Sequence, residues 1–91
     1  MMNKKLDIKK YLNAIAEPNR LAILSSLKDC EKCACEIHPG LKLPQNLSSH
    51  HLKVLRNLDL LKTRKEGNKI IYSRNEKIIK HYQSELTKKI I

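Results

Sequence analysis

The sequence predicts a mostly α-helical domain with one small β-hairpin, in the order α-α-α-α-β-β-α, on three observations. Apolar residues recur at helical spacing in four separate segments. Two runs of strand-forming residues, Leu61 to Lys65 and Lys69 to Arg74, flank Glu66-Gly67-Asn68, which suits a hairpin turn. No repeat, low-complexity tract or linker interrupts the chain, whose two glycines and three prolines stand as single punctuation marks. The 91 residues therefore read as one domain, residues 1–91, with a single core.

Each element has its own signal. Ile8, Tyr11, Leu12 and Ile15 follow i, i+3, i+4, i+7 spacing and predict a first helix from about Asp7 to Ala16. Pro18 suits the first turn of a second helix, which carries Leu21, Leu24 and Leu27 inward and ends near Lys28 or Asp29. A short third helix from about Ala34 to His38 should stop at Pro39 and Gly40, which both disfavour continuation. The clearest amphipathic segment follows, from Pro44 to about Leu58. At about 100° per residue, Leu47, Leu52, Val54, Leu55 and Leu58 fall on one arc and Asn46, Ser49, His50, Lys53 and Asn57 on the other. Ile78, Ile79, Tyr82, Leu86 and Ile90 share a face of a last helix.

Nineteen Lys and Arg against nine Asp and Glu give a net charge of +10, which favours a polyanionic partner such as nucleic acid or an anionic membrane. Two helices joined by a tight turn, the second polar outward, form a helix-turn-helix whose second helix enters the major groove. Gln45, Asn46, Ser48, Ser49 and His50 are the candidate base readers, while Lys53 and Arg56 reach phosphates. Lys62, Arg64, Lys65 and Lys69 on the hairpin extend the basic surface. His51 lies within the apolar arc and reads as a packed core residue. A chain this small buries only roughly 60% of the surface its unfolded form exposes, so a homodimer is expected.

No signal peptide and no membrane span is visible, so a cytoplasmic protein with reduced thiols is expected. An enzyme is not expected, since no Gly-rich phosphate loop or paired catalytic carboxylates are visible. The three cysteines crowd into positions 30, 33 and 35, which suggests metal binding or thiol chemistry rather than a disulfide framework. Thiolates suit Cd(II), Pb(II), Zn(II) and trivalent arsenic or antimony. On an ideal helix Cys33 and Cys35 point roughly 200° apart, so both grip one ion only where the backbone is non-helical. Inert buried thiols, a structural zinc site of Cys30, Cys33, Cys35 and His38, and a redox pair are the competing explanations. A basic amphipathic helix from about Lys77 to Ile91 also allows a membrane-surface module.

AEPNRLAILSSL, KCACEI and NLSSHHLKVLRNLDLL, in this order and spacing, resemble the ArsR/SmtB family of winged-helix metalloregulators over about residues 10–74. Glu17, Pro18 and Arg20 resemble the family's acidic-Pro-x-Arg opening, and Ser49-His50-His51-Leu52-Lys53 its recognition-helix core. The resemblance implies a winged helix-turn-helix repressor, dimeric through its first and last helices, that binds operator DNA with an inverted repeat. In the arsenic-sensing branch a Cys-x-Cys-x-x-Cys arrangement supplies three thiolates, and alignment puts His38 where the third would be. Cys30 is the favoured third ligand and His38 the alternative: three thiolates favour As(III) or Sb(III), and two plus imidazole favour Zn(II) or Cd(II). The family's second metal site, on the last helix, is not expected here, because His81 and Glu85 lack its pattern. Leu41-Lys42-Leu43 stands where the family usually carries a turn glycine.

Overall fold

The computed structural model describes residues 6–90; residues 1–5 and 91 of the expected 1–91 domain lie outside that range. The elements are α1 (Ile8–Ile15), α2 (Pro18–Ser26), β1 (Lys32–Cys33), α3 (Ala34–Gly40), α4 (Gln45–Asn57), β2 (Leu61–Glu66), β3 (Lys69–Arg74) and α5 (Glu76–Ile90). Local chemistry explains the early boundaries. Asp7 caps α1 by accepting from the Lys10 N–H at 3.0 Å, and Glu17 caps α2 by accepting from Arg20 N–H at 3.0 Å, with Pro18 in its first turn. Gly67, at φ 63°, supplies the positive φ of the two-residue turn between β2 and β3.

Leu21, expected to point inward from α2, is instead 52% exposed, and two expectations about the elements change. A third strand, β1, pairs antiparallel with β3, so the sheet runs β1-β3-β2. Two residues are too few to show alternation, which is why period reading passes over β1. In addition, α3 does not stop at His38 but continues through Pro39 to Gly40. Proline removes one N–H, and the helix ends one residue later, so little further hydrogen bonding is at stake. The left-handed residue that closes α3 is Lys42 (φ 56°), with Leu43 N–H donating to the His38 carbonyl at 2.8 Å and Lys42 N–H to Pro39 at 3.1 Å. This is a Schellman ending, and Asp59 (φ 60°) closes α4 in the same way, with Leu60 N–H on Leu55 O at 3.0 Å.

Ile23 of α2, Leu27 at its C-cap, Ile37 of α3, Leu55 of α4 and Leu60 form the most deeply buried part of the core, extended by Leu52, Leu61, Ile79 and Tyr82. Of the arc expected on α4, Leu52 and Leu55 are buried, Val54 and Leu58 are half-buried, and Leu47 is 38% exposed. The inward sector is centred instead on Ser48, His51, Leu52 and Leu55, which leaves Leu47 at its margin. Tyr11 of α1 stacks on Tyr82 of α5 with ring centres 4.2 Å apart, and Tyr82 Oη accepts from the Asp7 N–H at 3.1 Å. These contacts fasten the chain's two ends together.

Leu55→Ala should destabilise by about 2–5 kcal/mol in urea unfolding, because it removes a wholly buried side chain from the junction of α4 and the core. Lys42→Gly should stabilise by about 0.5–1 kcal/mol, since relief of the left-handed penalty exceeds the added chain entropy of glycine.

Candidate nucleic-acid interface and sulfur site

Along α4, Gln45, Asn46, Ser49, His50, Lys53 and Arg56 are exposed and form a continuous polar face. Ser48 leaves that set: it is 2% exposed and turned inward, and its Oγ has no hydrogen-bond partner among the described residues. The α4 N-cap, Pro44, offers no capping side chain, so the first-turn N–H groups are free of that competition. Lys65 and Lys69 are exposed toward the tip of the β2–β3 hairpin, and Lys62 is exposed farther back on β2.

α4 is held from α2 by a polar tie that spacing alone does not reveal. His51 is buried, with its Nδ1 3.3 Å from Arg20 Nη1 and its Nε2 3.5 Å from Glu17 Oε2. Arg20 Nε donates to the Ala14 carbonyl at 2.9 Å, so the acidic-Pro-x-Arg segment joins α1, α2 and α4. Arginine can only donate, so Nδ1 accepts and the neutral Nε2–H tautomer faces Glu17. Burial lowers the imidazole from its ordinary 6.5; Glu17 pulls it up, and the positive charge of Arg20 and the neighbouring His50 lower it further. Burial would raise the Glu17 carboxyl, but the N–H groups of Arg20 and Asn19 and the charges of His51 and Arg20 outweigh it and bring it below 4.5.

Cys33 is where strand becomes helix. Its φ of −70° and ψ of 147° are extended, it is the last residue of β1, and it is the N-cap of α3. Its Sγ accepts from the Cys35 N–H at 3.1 Å, and Glu36 Oε1 accepts from the Cys33 N–H at 3.0 Å, a capping box with sulfur in the place of the usual hydroxyl. The non-helical backbone that a shared ion would require is therefore present. Cys33 and Cys35 are joined as a disulfide, Cys33 buried and Cys35 exposed. His38 lines the same cleft as this pair, whereas exposed Cys30 donates to the Ser26 carbonyl at 3.2 Å and lines a different cleft. Among the described residues, no three His, Cys, Asp or Glu side chains are grouped so as to hold a metal ion. His81 is exposed on α5.

The sheet connects this pair to the hairpin. Cys33 pairs with Ile71, and Ile71 pairs on its other side with Arg64, so the three residues form one row across β1, β3 and β2. Glu31, just before β1, reinforces the row: its carboxylate takes both Nε and Nη2 of Arg64, while Arg64 Nη1 donates to Glu66 at 2.7 Å. Donating to Glu31 and then to Glu66 raises the guanidinium further, and accepting from Arg64 lowers the Glu31 carboxyl. Arg64 thus sits between two carboxylates rather than facing outward alone, which its position in a basic hairpin did not indicate.

Residues 17–63 match the bacterial regulatory protein, arsR family. The chain belongs to that family. It is 34% identical over 80 residues to the arsenical resistance operon repressor of Staphylococcus xylosus, covering 88% of this chain and 77% of that one. It is 32% identical over 76 residues to the cadmium resistance transcriptional regulatory protein CadC homolog of Staphylococcus aureus, covering 82% and 63%. It spans about half, 48%, of the SmtB homolog of Synechocystis sp.. Reduced HlyU from Vibrio cholerae has the same architecture, with a TM-score of 0.72 at 33% identity over 82% of this chain and 80% of that one. A possible transcriptional regulator for arsenical resistance shares the fold at TM-score 0.80, 22% identity and 90% and 85% coverage. This arsR-family protein is accordingly a winged helix-turn-helix transcription regulator rather than an enzyme. In this fold α4 is the second helix of the helix-turn-helix and β2–β3 the wing, and no helix among the described residues is long and apolar enough to cross a membrane.

Because His51 lies below 6.5 in the fold, the unfolded chain binds the proton first as pH falls, and stability is lost from about pH 6.5 down through the folded value. The stability that Glu17 and Glu31 contribute goes only below 4.5. Melting temperatures taken between about pH 7.5 and about pH 5 should fall, and His51→Gln should flatten that fall. Glu31→Gln should release Arg64 toward phosphate and strengthen DNA binding about threefold, with the salt slope steeper by up to about one unit in fluorescence anisotropy titrations.

Proposed function

We propose that this protein is a transcriptional repressor that binds operator DNA as a homodimer and releases it when a thiophilic ion binds Cys33 and Cys35. The observation that carries this reading is the position of Cys33, which closes the sulfur pair, starts α3 and belongs to the wing's sheet. Ligation at that point acts on the helix packed against α4 and on the strand bonded to the wing. Gln45, Asn46, Ser49 and His50 read bases from α4, Lys53 and Arg56 hold phosphates, and Lys65 and Lys69, with Arg64 once released from Glu31, add contacts from the wing. A net charge of +10 supports the polyanionic partner.

As(III) or Sb(III) is the favoured inducer, with Cd(II), Pb(II) and Zn(II) as divalent alternatives, in keeping with the arsenical and cadmium resistance names of relatives. The third ligand separates the two classes. His38 already shares the cleft of the pair and suits a divalent ion, whereas Cys30 has to leave its bond to Ser26 to complete an all-sulfur site. Dimerisation through α1 and α5 is supported by the exposed apolar side chains of Leu12 and Ile90 on those helices. The protein works in the cytoplasm, where thiols are kept reduced. A redox-responsive repressor without metal is the second reading, favoured by the disulfide between Cys33 and Cys35.

Cys33→Ala and Cys35→Ala should bind DNA from upstream of the protein's own gene as tightly as the natural chain does, yet fail to let go when As(III), Sb(III), Cd(II) or Zn(II) is added under reducing conditions. Anisotropy titrations measure both steps, and undiminished release from the variants would remove the cysteines from the mechanism. By linkage, DNA must weaken ion binding by the same factor as the ion weakens DNA binding. Release by an oxidant, reversed by a phosphine and indifferent to chelators, would select the redox reading instead.

A further inference from the structure

Between α3, the first turns of α4 and the tip of the β2–β3 hairpin lies a cleft of ≈ 410 Å³, within the roughly 300 to 1,000 Å³ of small-molecule sites. Ala34, Leu52 and Ile70 give it an apolar wall, and Cys33 and Cys35 border it. Ser48 lines it too, and this serine is the anomaly of the recognition helix. It occupies a position as deeply buried as Leu52 and Leu55, with a hydroxyl that bonds to nothing among the described residues. A buried hydroxyl without a partner is unfavourable, and a small side chain in an apolar sector leaves volume unfilled. The unfilled apolar volume favours an occupant of the cleft.

The chemistry of that occupant follows from valence. Trivalent arsenic and antimony make three bonds, and this cleft offers two sulfurs, because the third thiol, Cys30, lines a separate cleft and donates to Ser26. We infer that the site fits an arsenic(III) or antimony(III) compound already carrying one organic group, with the two sulfurs on the metalloid and the organic group in the cleft. This inference rests on the thiophile-released reading above and narrows its ligand class. For an aryl arsine oxide, two As–S bonds form as the two S–H bonds and the As–O bonds break, and the oxygen departs with both protons as water. Arsenic stays trivalent and no electrons move. The disulfide form enters this chemistry after a thiol or phosphine has supplied two electrons, with two protons from water. A ring lodged there touches Leu52 of α4 and Ile70 of the wing as well as α3, so one occupant engages all three elements that meet DNA or carry the sulfurs.

The test uses the full chain kept reduced with a trialkylphosphine and titrated separately with phenylarsine oxide, methylarsonous acid and arsenite. Binding is followed by intact-mass spectrometry and DNA release by anisotropy. The expected result is one phenylarsenic per chain with loss of one water, formed equally well in Cys30→Ala, and phenyl acting at concentrations about tenfold or more below methyl because of the apolar area it buries. Ile70→Phe, which fills the cleft while keeping strand propensity, should weaken the phenyl compound about tenfold and leave arsenite within about twofold. Comparing phenyl with methyl on the natural chain needs no variant and so does not depend on how Ile70→Phe folds. Arsenite acting as well as or better than phenylarsine oxide, with its action lost in Cys30→Ala, would overturn the inference and leave the repressor reading standing. Failure of every arsenical to release DNA would overturn the inference together with the choice of arsenic as inducer, and release by Cd(II) or Zn(II) in the same assay would leave the repressor reading standing.

Discussion

The extended backbone of Cys33 is the constraint on which the functional half of the molecule depends. At φ −70° and ψ 147° this residue finishes β1, caps α3 and turns its sulfur onto Cys35. Had α3 begun one residue earlier, helical geometry would have sent the two sulfurs roughly 200° apart and removed the pairing with Ile71. The sulfur site, the start of a helix and the edge of the wing's sheet would then be separate features with no shared atom. Because they share one residue, a change in bonding at sulfur cannot leave either neighbour unaffected.

The recognition helix is supported unequally along its length. At His51 it is tied by Arg20 and Glu17 to the beginning of α2, and at Leu55 it enters the densest part of the core. One turn earlier, at Ser48, it faces a cleft through an unpartnered hydroxyl. The firm end is tied to α2 and the core, and the loosely packed end faces α3, the cysteines and the hairpin tip. A helix fixed at one end and underpacked at the other can change its tilt without breaking the core, which is the kind of two-position element that regulation requires.

Electrostatics modifies what the overall basic balance suggests. A formal charge of +10 describes long-range attraction to DNA, but Arg64 is bracketed by Glu31 and Glu66 and so contributes little local positive field. Exposed ion pairs of this kind are individually weak, so the bracket is easily opened by a phosphate. Its location matters more than its strength, since Glu31 lies two residues before Cys33 and Arg64 lies in the same cross-strand row.

The sequence by itself determined the four long amphipathic segments, the hairpin turn at Gly67, the outward polar face of α4 and the clustering of cysteines, because each is expressed over neighbouring residues at the period of a helix or strand. It also indicated that His51 would be packed and that the cysteines needed non-helical backbone. Tertiary structure alone decided the rest. β1 is two residues long and exists only because β3 offers a free edge, so no local period announces it. Leu47 and Ser48 exchange the roles that hydropathy would give them because the positions of α2 and α3, not residue type, define the inner side of α4. The ties from His51 to Glu17, across 34 positions, and from Arg64 to Glu31, across 33, join groups that meet only when the chain has folded.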